Sequence, residues 1–445
     1  MSMKKCFVLT LGCPKNEIDS ESMSSLLVKK GFILTDDPAE ADLAVVNTCA
    51  FIDPAKEESI EAAFSLAALK TKGNLEKLIV CGCLSQRYGE RLLAEINGID
   101  AVIGTGSWSE IGDVIDDLEK NPKGIVRVKD PGGSYGGALR DEKNGRVSSY
   151  LKVSEGCDNE CSYCMIPSLR GPFRSRPIDE ILQEAGKLAE NGVKEISIIS
   201  NDTGSYGTDL YGEPALPDLM SGLEGIEGFE WIRLLYLHPS TVTEELLDMV
   251  ASSRKVCRYL DMPIQHVSSR ILRKMKRRMD ADELMSRLEA VRKRLPGAAI
   301  RTSLIAGFPG ESGEEFEELL SFVERFRFEH LGVFSYSREE GTEASLLPGQ
   351  VRDEVKLERV NRLMEVQMMI SSEINESYNG TEVRVLIEQE NGDCFLGRMS
   401  SQAPEVDGAV RVRKTISMKP GFADVRITGT EAYDLEGEFR CIEGT

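Results

Sequence analysis

Short apolar runs alternate with amphipathic stretches along the first 120 residues. KCFVLTLGC is followed by a helical pattern near Glu17 to Lys30, and DLAVVNTC by one near Pro54 to Leu69. KLIVCGC is followed by a pattern near Gln86 to Ile96, and AVIGT by one near Ser109 to Leu118. Strand runs separated by crossover helices predict a doubly wound parallel sheet. From Asp130 to Gly145, DPGGSYGGALRDEKNG is rich in Gly and charge and has no apolar period, which predicts a linker, taken with its flanks as residues 121–146. From Ser149 to about Gly341 the alternation returns, with EISIISND, WIRLLYLHP, YLDMPIQ, IRTSLIAGFPG and HLGVFSYS among the strands. Six strands fit a partial (β/α)6 barrel. A long helical pattern from about Asp353 to Tyr378 leads into TEVRVLIEQ, CFLGRMS, GAVRVRK and ADVRITGT, whose regular spacing predicts a small β-barrel. The expected fold class is α/β, in units at 4–120, 147–377 and 378–445.

Composition narrows the functions open to such a chain. At 445 residues it is long enough for several domains. No run approaches the roughly 18 apolar residues of a membrane helix, and MSMKKCFVLTLGCPKN turns polar too soon for a secretory signal. A cytoplasmic location without a membrane partner is therefore expected. In that reducing compartment eleven cysteines point to metal binding, catalysis or burial rather than to disulfides. Lys and Arg number 54 against 74 Asp and Glu, a net charge of −20, which disfavours a general nucleic-acid binder and attracts a basic partner.

Three cysteines, Cys157, Cys161 and Cys164, fall within EGCDNECSYCMIPSLRG, and no further Cys or His lies within dozens of residues. A closed zinc site takes four ligands. Three thiolates on a four-iron cluster instead leave one iron open to a small ligand. The C-x3-C-x2-C spacing, with Tyr163 just before the last Cys, follows the first barrel strand and resembles the signature of radical S-adenosylmethionine enzymes. In those enzymes the open iron binds the amino and carboxylate groups of the methionine moiety. A second set is dispersed: Cys13, Cys49 and Cys83 end the first three strands, in LGC, NTC and CGC. Carboxyl ends of parallel strands share one crevice, so these three are either a common site or small core residues. Cys6 and Cys81 are expected to be buried and not to serve as ligands.

LGCPKNEIDSE, NTCAFI, GCLSQR, EGCDNECSYCMIPSLRGPFRSR and IAGFPGE together resemble the radical S-adenosylmethionine methylthiotransferase family, whose domain order matches nearly the whole chain. The resemblance implies two 4Fe-4S clusters, one on Cys157, Cys161 and Cys164 and one on Cys13, Cys49 and Cys83, with S-adenosylmethionine as the other cofactor. It implies a TRAM barrel from about Tyr378 to Thr445. It also implies sulfur insertion at an unactivated C–H bond, one S-adenosylmethionine methylating a sulfur held on the second cluster and another supplying the hydrogen-abstracting radical. Asn201 and Asp202 would contact the methionine amino group, and Ile305 and Gly307 would line the adenine; strand-end and turn roles are the plain alternatives. Arg174 and Arg176 would orient carboxylates. His266 is expected to be a hydrogen-bonded strand-end residue, and RKMKRRM an exposed helix face or a contact to ribosomal RNA.

LGCPKN, CMIPSLRGPFRSR and APEVDG resemble the branch of that family that modifies protein rather than tRNA. That branch adds methylthio to an aspartate β-carbon in the twelfth protein of the small ribosomal subunit. Residues 381–445 carry 8 Lys and Arg against 12 Asp and Glu, a net of −4, which suits a basic ribosomal protein better than phosphate. Glu405 and Asp407 are expected on a loop that meets its Lys and Arg. An electron donor such as flavodoxin or ferredoxin is implied. The alternatives are a tRNA adenosine methylthiotransferase and a noncatalytic iron-sulfur carrier, the latter disfavoured by two incomplete ligand sets.

Overall fold

A computed structural model describes residues 3–120, 124–132, 140, 145–415 and 418–440. Its first sheet is wholly parallel. In spatial order the strands are Ile33–Leu34, Lys5–Thr10, Leu43–Thr48, Lys77–Gly82, Ala101–Ile103 and Ile125–Arg127. Ala44 and Val46 pack into one apolar cluster and Leu43 and Val45 into another, so this strand is buried on both faces, which is why it reads as an unbroken apolar run. The crossover helices are Pro14–Lys29, Asp53–Lys72, Cys83–Glu95 and Ile111–Lys120. One expectation is corrected at the edge of this sheet. Ile125–Arg127, inside the stretch expected to be a linker, pairs with Ala101–Ile103 and is too short for periodicity to reveal. Most of 133–144 lies outside the described residues.

The second sheet holds six parallel strands in chain order: Ser148–Lys152, Glu195–Ile199, Trp231–Leu234, Val256–Asp261, Ala299–Ala306 and His330–Ser335. It is an open barrel with its first and last strands at the edges, and one large apolar cluster fills the space between strands and outer helices. Capping boxes at Asp280 with Glu283 and at Ser312 with Glu315 start two of those helices. The helix Asp353–Glu376 adds Leu363, Val366 and Ile370 to the cluster. Five strands then close a small barrel: Glu382–Asn391, Cys394–Arg398, Val410–Arg413, Gly421–Thr430 and Leu435–Phe439. The last of these, LEGEF, carries too few apolar residues to announce itself. It closes the barrel by pairing in parallel with Val410–Arg413.

Buried charge joins this barrel to the second sheet. Glu195, with its side chain fully buried, accepts hydrogen bonds from Arg233 (2.8 Å) and from Arg398 of the barrel. Arg301 donates to Asp407 at 2.9 Å, and the Tyr259 hydroxyl donates to the same carboxylate at 2.7 Å. Asp407, expected to meet a partner from a loop, is instead 1% exposed in its side chain and holds the barrel in place. Glu405 does remain exposed. Removing the shared carboxylate should expose the weight of this junction. Glu195→Ala leaves two buried guanidinium groups without it and is expected to cost about 3–5 kcal/mol in urea unfolding. Glu388→Ala, which removes the more exposed partner of Arg398, should cost about 1 kcal/mol or less; equal costs would contradict this assignment.

Candidate functional site

The carboxyl ends of the first sheet's central strands bring together cysteines that lie 34 or more positions apart. Cys13 precedes the helix Pro14–Lys29, Cys49 follows Leu43–Thr48, and Cys83 opens the helix Cys83–Glu95. Gly12 and Gly82 both have φ of +93°, a region that favours glycine. A Cβ on Gly12 would lie 2.7 Å from Cys49 Cβ, and one on Gly82 would lie 2.3 Å from Asn47 Oδ1. Glycine before cysteine therefore lets the chain ends converge. Burial first, then the neighbouring Cys13 and Cys49, push the Cys83 thiol up to about 12, against the pull of Arg170. Burial also raises Cys49, which the backbone N–H of Phe51 opposes. Cys6 and Cys81 are fully buried, Cys81 with its sulfur 3.8 Å from Met23 Sδ, as expected of core residues.

Arg170, six residues after Cys164 and only 2% exposed, links this triplet to the second one. Its guanidinium donates to Asp19 (2.9 Å), to both oxygens of Glu155 (3.1 Å each) and to Asn16 Oδ1, and it acts on Cys83. Lys152 also donates to Asp19 and Glu155, the latter at 2.8 Å. Burial opposes ionisation of Glu155, but Arg170 and Lys152 outweigh it and bring its carboxyl down to about 2. The result is a neutral, ionised foursome in the junction between the two sheets.

In the second triplet every sulfur accepts an N–H. Cys157 Sγ takes one from the Asn159 backbone (3.4 Å) and one from Asn159 Nδ2 (3.3 Å), Cys164 Sγ one from Ile166 (3.4 Å), and Cys161 Sγ one from Arg277 (3.6 Å). Such donors stabilise thiolates and tune iron-sulfur potentials. Burial pushes Cys164 up to about 12. Asp202 accepts from Asn159 (2.8 Å) and Ser205 (2.9 Å). The remaining oxygens, Asp202 Oδ1, Asn201 Oδ1 and Asn159 Oδ1, are buried and have no partner among the described residues. Unsatisfied buried acceptors call for a donor, and an ammonium group fits. Tyr163 packs edge-on against Phe308 at 6.4 Å, in an apolar cluster that also takes in Ile305. Gly307 donates its N–H to Glu311 at 2.6 Å, and the space beside it is filled by Lys356. Among the described residues no three His, Cys, Asp or Glu side chains are placed to hold a single metal ion. Three thiols with N–H donors on sulfur suit a cluster, whose thiolates bind different irons.

Residues 5–104 match the family described as uncharacterized protein family UPF0004, residues 151–323 the radical SAM superfamily and residues 380–439 the TRAM domain. Over 98% of its length the chain is 45% identical to ribosomal protein uS12 methylthiotransferase RimO of Pelotomaculum thermopropionicum, covering 99% of that relative. It is 43% identical to RimO of Clostridioides difficile, covering 98% of this chain and 99% of that one. The chain belongs to the RimO branch of the radical S-adenosylmethionine methylthiotransferase family. Two solved structures share its fold. The methyltransferase TsrM of Kitasatospora setae superposes with a TM-score of 0.56 at 13% identity, covering 88% of this chain and 77% of that one. The cobalamin-dependent radical enzyme OxsB gives 0.51 at 14% identity, covering 83% and 56%.

Several site residues of this RimO-branch chain escape a sequence reading. RKMKRRM is exposed at Arg273, Lys276 and Arg278, but Arg277 turns inward to Cys161 and also donates to the Pro263 carbonyl at 2.7 Å. Arg176 pairs with the Glu184 carboxylate at 2.6 Å and donates to the Lys152 carbonyl at 2.8 Å, whereas Arg174 turns to the carbonyls of Pro172 and Arg170, just beyond the cysteine loop. His266 accepts the Ser268 N–H at 2.9 Å, and burial lowers it to about 4, which keeps it neutral, in keeping with the expected strand-end role. Lys15 is 5% exposed and lies over the Tyr236 ring, 3.3 Å from its centroid. The raised thiols give a direct test. In the iron-free methylthiotransferase, alkylation of Cys83 and Cys164 should speed up about tenfold per pH unit from pH 7 to 10, because the thiolate is the nucleophile. Mass spectrometry of the labelled peptides reads the rates; a plateau below pH 10 would contradict the burial.

Proposed function

We propose that this chain attaches a methylthio group to the β-carbon of an aspartate in ribosomal protein uS12, using two four-iron clusters and S-adenosylmethionine. The observation that carries the two-cluster mechanism is the Arg170 bridge. One guanidinium acts on Cys83 and sits on the segment that continues directly from Cys164, so both triplets border the same junction. The RimO relatives and the segments LGCPKN and APEVDG support uS12 as substrate, as does the net charge of −4 over residues 381–445. A cluster held by Cys157, Cys161 and Cys164 would supply a reducing electron to S-adenosylmethionine, and one held by Cys13, Cys49 and Cys83 would supply an exchangeable position for sulfur.

The chain's own residues set the conditions for that chemistry. Asn159, Ile166 and Arg277 donate to the three core sulfurs and spread their charge. Asn159, Asn201 and Asp202 offer free oxygens to the methionine ammonium. Tyr163, Phe308 and Ile305 form an apolar wall that keeps water from the adenine side. Asp19, Glu155, Lys152 and Arg170 fix the spacing of the two cysteine sets. Electrons come from an external donor such as flavodoxin or ferredoxin, for which exposed Arg273 and Arg278 beside Arg277 provide a basic landing surface. No helix of the described residues is long and apolar enough to cross a membrane, and the reaction is assigned to the cytoplasm, where ribosomal proteins are found.

Anaerobic reconstitution should give about eight irons per chain. Replacing Cys157, Cys161 and Cys164 by Ala should halve the iron and abolish cleavage of S-adenosylmethionine, whereas replacing Cys13, Cys49 and Cys83 should halve the iron and leave cleavage measurable. Full iron in the second variant would remove the second cluster. With the intact enzyme, mass spectrometry should find one methylthio group on an aspartate of uS12, free or in the small subunit, and none on tRNA. Methylthiolated tRNA with unmodified uS12 would replace this substrate by the adenosine beside the anticodon.

A further inference from the structure

The junction between the first two sheets is lined by cations that already have carboxylates. Lys152 and Arg170 share Asp19 and Glu155, and Arg176 binds Glu184. Lys15 differs. It is 5% exposed, and among the described residues its Nζ has neither a hydrogen bond nor an ion pair. Instead it lies over the face of Tyr236, 3.3 Å from Nζ to the ring centroid. A cation over a ring is stabilised only modestly, which does not replace the hydrogen bonds that a largely buried ammonium lacks. The acids nearby are engaged elsewhere: Glu155 in the foursome, and Asp261 with the Tyr236 N–H (3.0 Å) and Arg301 (3.8 Å). Lys15 therefore presents a largely buried, unpaired donor to an anion entering the junction.

Tyr236 is a rigid seat for that anion. It follows the third strand of the second sheet with a φ of +61°, its N–H given to Asp261 and its carbonyl accepting the Thr203 N–H at 3.0 Å. Its half-buried side chain makes no hydrogen bond through the hydroxyl among the described residues. Lys15 comes from the first unit and Tyr236 from the second, so an anion held by both spans the junction, two residues from Cys13. Glu405, exposed on the barrel loop with a φ of +66°, lies within electrostatic reach of Tyr236 and has no ion pair among the described residues. The surroundings thus offer a cationic seat for one carboxylate and an outer acid for a basic chain.

We infer that Lys15, with the Tyr236 hydroxyl, receives the carboxylate of the substrate aspartate, and that Glu405 meets the basic chain around it. This rests on the uS12 assignment above and deepens it. The β-carbon is bonded directly to the carboxylate carbon, so holding the carboxylate fixes the carbon to be modified beside Cys13. Asparagine, which lacks the charge, is held less tightly.

The test compares binding of uS12 with binding of uS12 in which the modified aspartate is replaced by asparagine, measured by anaerobic calorimetry on the reconstituted enzyme. The parent enzyme should prefer the aspartate form by about 10- to 100-fold, the range for a buried charged hydrogen bond. Lys15→Met should bind both forms alike, at the weaker affinity, and Lys15→Arg should restore part of the preference. Tyr236→Phe, which leaves the Cys13 segment untouched, should reduce the preference several-fold even if Lys15→Met loses iron. Glu405→Lys should weaken both forms equally and keep their ratio. An unchanged aspartate preference in both Lys15→Met and Tyr236→Phe overturns the inference. Failure of the parent enzyme to modify uS12 at all overturns the substrate assignment instead, and is seen before any variant is made.

Discussion

Everything at the centre of this molecule depends on one buried exchange of charge, that of Arg170 and Lys152 with Asp19 and Glu155. Stripping four ionised groups of water is costly, and the cost is offset only while every charge keeps its partner. The partners come from the helix after Cys13, the strand that leads to Cys157, the residues just before that cysteine and the segment after Cys164. Moving either cysteine set alone would leave a charge bare. A second buried carboxylate extends the same constraint: Glu339, beyond the last strand of the second sheet, binds Lys56 (2.8 Å) on the helix after Cys49 and Arg87 (2.6 Å) on the helix that Cys83 opens. Each of the three cysteine-bearing segments of the first sheet is thus tied to the second unit by an ion pair.

The barrel is held by the same means, which changes the meaning of the chain's acidic surplus. Glu195 and Asp407 are spent on Arg233, Arg398 and Arg301 rather than displayed to a partner. What the barrel side displays is a smaller set, with Glu405 raised on a strained turn towards the junction. Net charge indicates which sign of partner is favoured; the geometry indicates where it can be met.

Much of the fold was legible because its physics is local. Strands buried on two faces read as apolar runs, helices between them as amphipathic periods, and the C-x3-C-x2-C spacing lies within one loop. The dispersed triplet was legible at one remove, since strand ends of a parallel sheet converge, and glycine before Cys13 and Cys83 marks where the chain must turn sharply. The short edge strand Ile125–Arg127 and the barrel-closing LEGEF were not legible, because three residues carry no period and alternating Gly and Glu carry no apolar signal. Arg277, Arg170 and Lys15 were illegible for another reason. A cation in sequence reads as solvated, and burial that depends on partners 100 or more positions away leaves no local trace.

The central claim is that the two cysteine triplets face each other across this junction, and paramagnetic resonance of the reduced protein tests it most directly. The two clusters proposed here, on either side of Arg170, should give a spectrum split and broadened by magnetic coupling, which collapses to a simple signal when either triplet is replaced by alanine. A spectrum of the intact protein equal to the sum of the two single-cluster variants would contradict a shared crevice.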